Sequence, residues 1–345
     1  MFFNAFPGIT EAVYYKGLFV VIRYCLDYTI CLLPIPLFYL LALCLIYLGF
    51  RSIKKAWEKR NIGTRIQKIK NSALTTGAVL GGIIFLFLFL WGFNYARLSI
   101  ESQLEISPRP LDSLEVKNEV DYYTKLAAQA RKEIEGLDTI AITKAFLPKA
   151  MEKKVRKDLE KALNELGFPT HGRVRGRMLF PEGILMTFGV AGVYIPFIGE
   201  GHVDAGLHPI THPYTMAHEM AHGYGFTDEG TCNFLAFLAC SQSEDPVIRY
   251  SGYLSHTRDV LVAYRRVISD QYPEFRATLD KGVIADMNAI NIANARFGRD
   301  WIPMYSINNL YLKSQGISEG ILSYSRVVLL VKAFREKNQK PGIGK

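Results

Sequence analysis

The alternation of apolar and polar residues changes character three times along the chain. Residues 29–50, "TICLLPIPLFYLLALCLIYLGF", and 74–93, "LTTGAVLGGIIFLFLFLWGF", are uncharged and almost wholly apolar. Each approaches the roughly 20 helical residues that cross a hydrocarbon core, so both are predicted to span a membrane. Pro34 and Pro36 in the first are tolerable where neighbouring helices satisfy the freed backbone groups; a kinked or re-entrant segment is the alternative there. Upstream, "AVYYKGLFVVIRYCLDY" is apolar but interrupted by Lys16, Arg23 and Asp27. Residues 1–28 are therefore expected to form an interfacial amphipathic helix, with a third membrane segment as the other option.

After the second span, residues 94–112 carry Pro108 and Pro110 and read as a juxtamembrane linker. Helical patterns follow near 113–136 and 148–166, the second halted by Gly167 and Pro169. From 171 to about 205, β-branched and aromatic residues alternate with glycines, which predicts short strands and turns. Pro213 then opens a helix that carries residues 218–222 and ends at Gly223 or Gly225. Asp228 or Thr227 can cap a helix over 229–242, and further helices are expected at 251–268 and 319–336. The expected fold is membrane-anchored: two N-terminal transmembrane helices, then a mostly helical α+β domain with a small sheet over residues 113–345.

Charge fixes an orientation and removes a function class. Residues 51–73 hold eight basic residues against Glu58 alone, so this loop should stay in the cytoplasm by the positive-inside rule. The chain from 94 onward then lies on the far side, which is the periplasm for an inner-membrane protein of a double-membrane bacterium. Ten basic and three acidic residues precede residue 94, so of the 41 and 32 in the chain 31 and 29 remain beyond it, a net +2. The overall +9 is thus mostly a topology signal, and no nucleic-acid partner is expected. Five cysteines make no disulfide framework: Cys232 and Cys240, eight apart on one predicted helix, stand roughly 12 Å from each other.

The chemistry concentrates in "THPYTMAHEMAHGYGFTDEGTCNF". On a helix, His218 and His222 lie one turn apart on the same face and can aim two imidazole nitrogens at one point. Glu219, one step round the helix, stands beside that point without occupying it, as a general base toward zinc-activated water would. A His-Glu-x-x-His match arises by chance in about one such chain in a hundred, so the surroundings must carry the reading. Met216, Ala217, Met220, Ala221 and Tyr224 make the rest of the helix apolar, which puts the histidines in a cleft. The "HGYG" turn can reverse the chain directly after His222. A catalytic zinc usually takes three protein ligands, and Glu229 is the expected third, with His202, His208, His212 or Asp228 as substitutes. Asn233, one turn after Glu229, can hold the free nitrogen of a ligating histidine or simply join two helices. Tyr253 and His256 are the weak candidates for an oxyanion stabiliser, among Tyr250, Tyr311 and Tyr324; Arg249 and Arg258 are equally ambiguous. The stretch "ILMTFGVAGVYIPFIGEGH" fits a sheet edge beside the motif helix, where an extended peptide could add as a strand. Glu200 joins the site only if its loop folds over the cleft.

His218-Glu219-x-x-His222 with Glu229-x-x-x-Asn233 resembles the gluzincin zinc peptidases, in which two histidines and a downstream glutamate bind zinc and the motif glutamate is the base. The six residues between His222 and Glu229 form a short link for that class, and Thr231 stands where a second acid is often found. The wider arrangement is similar to an uncharacterised bacterial family with two N-terminal spans and a predicted zinc-peptidase domain. The resemblance rests on "WGFNYAR" at 91–97, "GVYIPFIGE" at 192–200, "RYSGYL" at 249–254 and "YLKSQG" at 311–316. It implies a gluzincin-like fold, a Zn2+ cofactor, and a peptide or protein substrate met at the lipid bilayer. Two other functions stay open: a tethered sensor or scaffold that binds metal or peptide without turnover, and a zinc hydrolase of another amide or ester.

Overall fold

The computed structural model describes residues 6–58, 64–297 and 326–339. The chain begins with a helix, α1, built from Pro7–Ile9, a π-helical stretch Thr10–Leu18 and Phe19–Asp27. A 3-10 turn at Ile30–Leu32 leads to α2 (Leu37–Glu58) and α3 (Arg65–Leu90). Both are long and apolar enough to cross a membrane. Leu37 is the one buried residue of α2, and α3 has none. They are therefore not core helices, and so much exposed apolar surface needs a cover other than water.

Two boundaries differ from expectation. Helix α2 starts at Leu37 rather than near 29, because Pro34 and Pro36 keep the preceding residues out of helical geometry. The basic stretch 51–73 is not a loop throughout. Residues 51–58 prolong α2, and α3 starts at Arg65 behind a Thr64–Gln67 capping box. Lysine, arginine and glutamine are good helix formers, which lets both helices continue past their apolar part. Lys59 and Arg60 lie outside the described residues.

Residues 94–112 are not a free linker. A 3-10 turn (Gly92–Ala96) and a short helix, α4 (Ile100–Leu104), occupy them, and Ile100 and Ile106 enter the main core. Asp112 and Glu115 form a capping box for α5 (Ser113–Lys132), whose buried Val116, Val120, Tyr123, Ala127 and Ala130 recur at helical spacing. Helix α6 (Met151–Glu165) precedes strands β1 (Arg175–Leu179), β2 (Gly192–Ile195) and β3 (Glu200–Asp204). The strand order is β1-β3-β2: β1 runs parallel to β3, and β2 is an antiparallel outer strand with Val193 opposite His202. Helices α7 (His212–Gly223), α8 (Glu229–Ser241), α9 (Pro246–Val267), α10 (Tyr272–Ala277), α11 (Lys281–Phe297) and α12 (Arg326–Gln339) complete the described domain. Helix α7 packs under the sheet, and the apolar α8 lies among α6, α7, α9 and α12.

Helix α1 is docked on this domain along one face. Tyr14, Tyr15 and Phe19 join the main core, Arg97 pairs with Glu11, and the Arg97 guanidinium stacks on the Tyr15 ring. Further along, the buried Arg23 pairs with Asp27 and donates to the Gly199 carbonyl and the Tyr194 hydroxyl, both at 3.1 Å. The opposite face exposes Val13, Val21, Tyr24 and Tyr28. Two of the charges that interrupt this segment in the sequence, Arg23 and Asp27, thus point into the protein, while Lys16 is exposed. Replacing Asp27 by alanine should destabilise the fold by about 3–5 kcal/mol, since Arg23 would be left buried without its ionic partner. Thermal unfolding of the detergent-solubilised chain, with protease access to residues 6–28, measures this.

Candidate metal centre

Helix α7 forms where its apolar residues meet the sheet, and this decides which way the motif points. Met216 and Met220 are buried beneath β1, Ala217 and Ala221 are buried as well, and His218 and His222 face a cleft. Two glycines allow the close approach: a Cβ on Gly201 would stand 2.7 Å from the Glu219 Cβ, and one on Gly192 would stand 2.5 Å from its Oε1. Any larger residue at either place would push helix and strands apart.

The turn after His222 is set by Gly225, whose φ of +88° lies in the left-handed region. Phe226 N–H donates to the Ala221 carbonyl at 3.2 Å and Gly225 N–H to the His222 carbonyl at 2.9 Å, a Schellman closure. The chain then reverses, and Asp228 caps α8 by accepting from Thr231 N–H and Oγ1, each at 2.8 Å. This places Glu229, the first residue of α8, against the two histidines.

The short link to Glu229 is therefore long enough. The His218 and His222 Nε2 atoms are 3.2 Å apart, and Glu229 carboxylate oxygens lie 3.1 Å from the first and 3.7 Å from the second. One ligand atom from each residue falls within 4.8 Å of the other two. Nitrogen ligands at about 2.05 Å in tetrahedral geometry would stand about 3.3 Å from one another, so the spacing fits zinc. The ring orientation fits as well. His222 Nδ1 is 2.8 Å from the Phe226 carbonyl oxygen, which can only accept, so Nδ1 carries the proton and Nε2 turns its lone pair to the shared point. His218 Nδ1 stands 2.8 Å from Asn233 Oδ1 in the same sense. Such partners fix the tautomer of ligating histidines. Exchanging Asn233 for alanine should weaken zinc affinity about 10–100-fold, as read by competition with a chromogenic chelator.

The electrostatics favour a cation at this point. Burial opposes ionisation of Glu229, yet the facing His222 and His218 hold its carboxyl well below the usual range. Burial likewise opposes charge on His222, while the ionised Glu229 beside it pushes its pKa well up. Cys232 is no competing ligand: its Sγ is 3.3 Å from Nδ1, on the outer side of the ring, and burial keeps the thiol protonated, its pKa pushed up to about 11. Glu219 is different again. Desolvation raises its carboxyl to about 7, opposed by His218 and His222.

The cleft holds about 540 Å³ and is walled by residues distant in sequence. One wall is the outer strand with Gly192, Val193, Tyr194 and Pro196; another is Phe87, Trp91 and Tyr95, from the end of α3 and the turn after it. Trp91 Nε1 donates to the His222 carbonyl at 2.8 Å, which ties the motif helix to that apolar helix. A second cleft of about 510 Å³, lined by Arg258 and Asp259, shares Ala191, Tyr214, Thr215 and Asn233 with the first, so the groove continues past the cluster.

Several sequence candidates lie elsewhere. Tyr253 and His256 are corrected: both sit where α9 meets α5 and α8, His256 between the rings of Tyr123 and Phe237, and neither lines the cleft. Burial pushes His256 down to about 3, as suits a neutral core residue. Tyr250 donates to Asp286 at 2.7 Å, and Arg249 bonds to Glu133 and the Ser243 carbonyl. Alternation along β3 turns Glu200 and His202 to the face opposite α7, where Glu200 accepts from Leu37 N–H and faces Arg177. His208, His212 and Asp228 are also absent from the cluster. Tyr311 and Tyr324 lie outside the described residues. Among the described residues, the tyrosines that reach the cleft are Tyr95, Tyr194 and Tyr214. Two of them fall in "WGFNYAR" and "GVYIPFIGE", but only as conspicuous aromatic clusters with no periodic signal of a site.

Residues 14–331 match the family described as "Protein of unknown function (DUF3810)". The chain belongs to this family. No curated protein and no solved structure matches the DUF3810 chain. The match takes in both apolar helices, the sheet and the whole cluster, so the site lies in the region common to the family and not in an appendage.

Proposed function

We propose that this DUF3810 protein is a membrane-anchored, zinc-dependent metallopeptidase, anchored by α2 and α3 with the domain on the extracytoplasmic side. The observation that carries the reading is the convergence of His218 Nε2, His222 Nε2 and a Glu229 oxygen, with the buried Glu219 beside them, in a groove bordered by an outer strand. Those three residues would hold zinc, which when bound supplies a Lewis acid and brings a coordinated water's pKa to near 7. Glu219 takes a proton from the attacking water at its carboxylate and passes it to the leaving nitrogen. The water oxygen joins the acyl carbon, the C–N bond breaks, and a new carboxylate and a new amine leave. Among the described residues strand β2 has β3 as its one strand neighbour, and its other edge can take an extended chain, which fixes the scissile bond across the cleft. The basic ends of α2 and α3, which lie away from the domain, support this orientation.

The purified full chain should carry one zinc and cleave a mixed peptide library, and a chelator should stop cleavage reversibly. A preparation exposed to zinc that neither retains it nor cleaves any peptide would sink the reading. Glu219 speaks against pure metal or peptide binding, because such a site needs no buried proton acceptor beside the ligands.

A further inference from the structure

We infer that the substrate of this site is the membrane-proximal segment of a membrane-anchored polypeptide, drawn extended along β2 at the bilayer surface. The inference rests on the metallopeptidase reading and adds where the substrate comes from. The cleft lies at the end of the apolar helices, not at the far side of the domain. Phe87 belongs to the last turn of α3 and lines the cleft, and Trp91, the residue after that helix, bonds to the backbone of His222 itself. The start of α2 is equally close to the sheet. Leu37 N–H donates to Glu200, and the Tyr39 hydroxyl bonds to both the N–H and the carbonyl of Phe180.

On the side of the strands, the exposed surface beside the cleft is aromatic. Phe180, Phe188 and Phe197 stand out on the loops that flank the strands, Phe188 beside lining residue Gly189 and Phe197 beside lining residue Pro196. The outward face of α1 (Val13, Val21, Tyr24, Tyr28) runs on through Leu32, Leu33 and Ile35 into the exposed face of α2. This apolar belt is continuous with the helices that the bilayer covers, so its occupant is the same bilayer. Aromatic rings at such a level are those that settle in the interface. The His218–His222–Glu229 cluster is then held just above the headgroups. A polypeptide leaving the membrane on that side needs only about three to six extended residues, at ~3.3 Å each, to reach across it. A row of backbone donors and acceptors on the outer strand suits a peptide, and a lipid ester has no matching row.

The test uses the zinc-loaded full chain in lipid nanodiscs. A randomised peptide mixture is supplied in two forms: fused to one membrane-crossing helix in the same disc, or free in solution. The anchored form should be cut on the order of 100-fold faster at equal total concentration, and mass spectrometry should place the new termini within about ten residues of the bilayer. Dissolving the discs in detergent should remove most of that advantage. Equal rates for both forms, or cuts without regard to distance from the membrane, would overturn the inference while leaving the peptidase reading intact. Fatty-acid release with both peptides intact would overturn it in favour of a lipid substrate. No hydrolysis of any substrate by zinc-loaded protein would remove the peptidase reading and the inference with it.

Discussion

Exchanging Glu219 for glutamine should leave zinc content unchanged and slow peptide cleavage by about 10²–10⁴-fold, the usual contribution of a positioned proton acceptor. Glutamine keeps the shape of the side chain between Gly192 and Gly201 but cannot take a proton. Metal analysis and cleavage rates on the same preparation measure both halves; a variant that cleaves like the wild type would place the base elsewhere. The same substitution has a second, pH-dependent consequence in the metal-free protein. Desolvation holds the folded Glu219 at about 7, above its ordinary 4.5, so the fold favours the neutral carboxyl. That advantage is complete below 4.5 and is lost as pH rises through 7. Metal-free E219Q should therefore match the metal-free wild type at pH 4 and exceed it by ~3 kcal/mol at pH 8. Denaturation curves at the two pH values decide it.

Removing the third ligand should have the larger effect on metal. Glu229→Leu takes the one carboxylate from the cluster and leaves two imidazoles facing each other at 3.2 Å. Zinc affinity should fall by more than the ~100-fold reached on losing an outer partner such as Asn233, and the protein should purify without zinc and without activity. The stabilisation that zinc confers should vanish too, about 4 kcal/mol when free zinc stands at 1,000 times its dissociation constant. Thermal unfolding with and without added zinc reads this directly, with a large upward shift for wild type and none for the variant. Zinc retention by Glu229→Leu at the wild-type level would show that another group completes the site.

The elements legible from sequence are those built by neighbours along the chain. Helices α5 and α6 announce themselves through the helical spacing of their apolar positions, and the second also through its glycine and proline stop at 167 and 169. Asp228 caps α8 as its position implies. The apolar runs at 29–50 and 74–93 mark the two long exposed helices, though not that prolines delay the first to Leu37. Less could be read of the N-terminal segment. Its charges look like interruptions until Arg23 meets Tyr194 and Gly199, more than 170 positions away. Tyr253 and His256 fail for the opposite reason. Their residue types suit catalysis, but the face of α9 that carries them is the one packed on α5 and α8.

The sequence by itself determined the pairing of His218 with His222 and the place of Glu219 beside them. The pitch of an α-helix sets the relation of residues one and four apart whatever surrounds it. It also determined which stretches are too apolar to face water. Only the tertiary structure decided that Glu229, and not Asp228 or another histidine, closes the cluster, because a Schellman turn and a capped helix start must act together to aim it. Only the tertiary structure set Trp91 against His222 and Gly192 against Glu219. These are contacts between segments far apart in the chain, made by the burial of apolar surface, and no local period in the sequence records them.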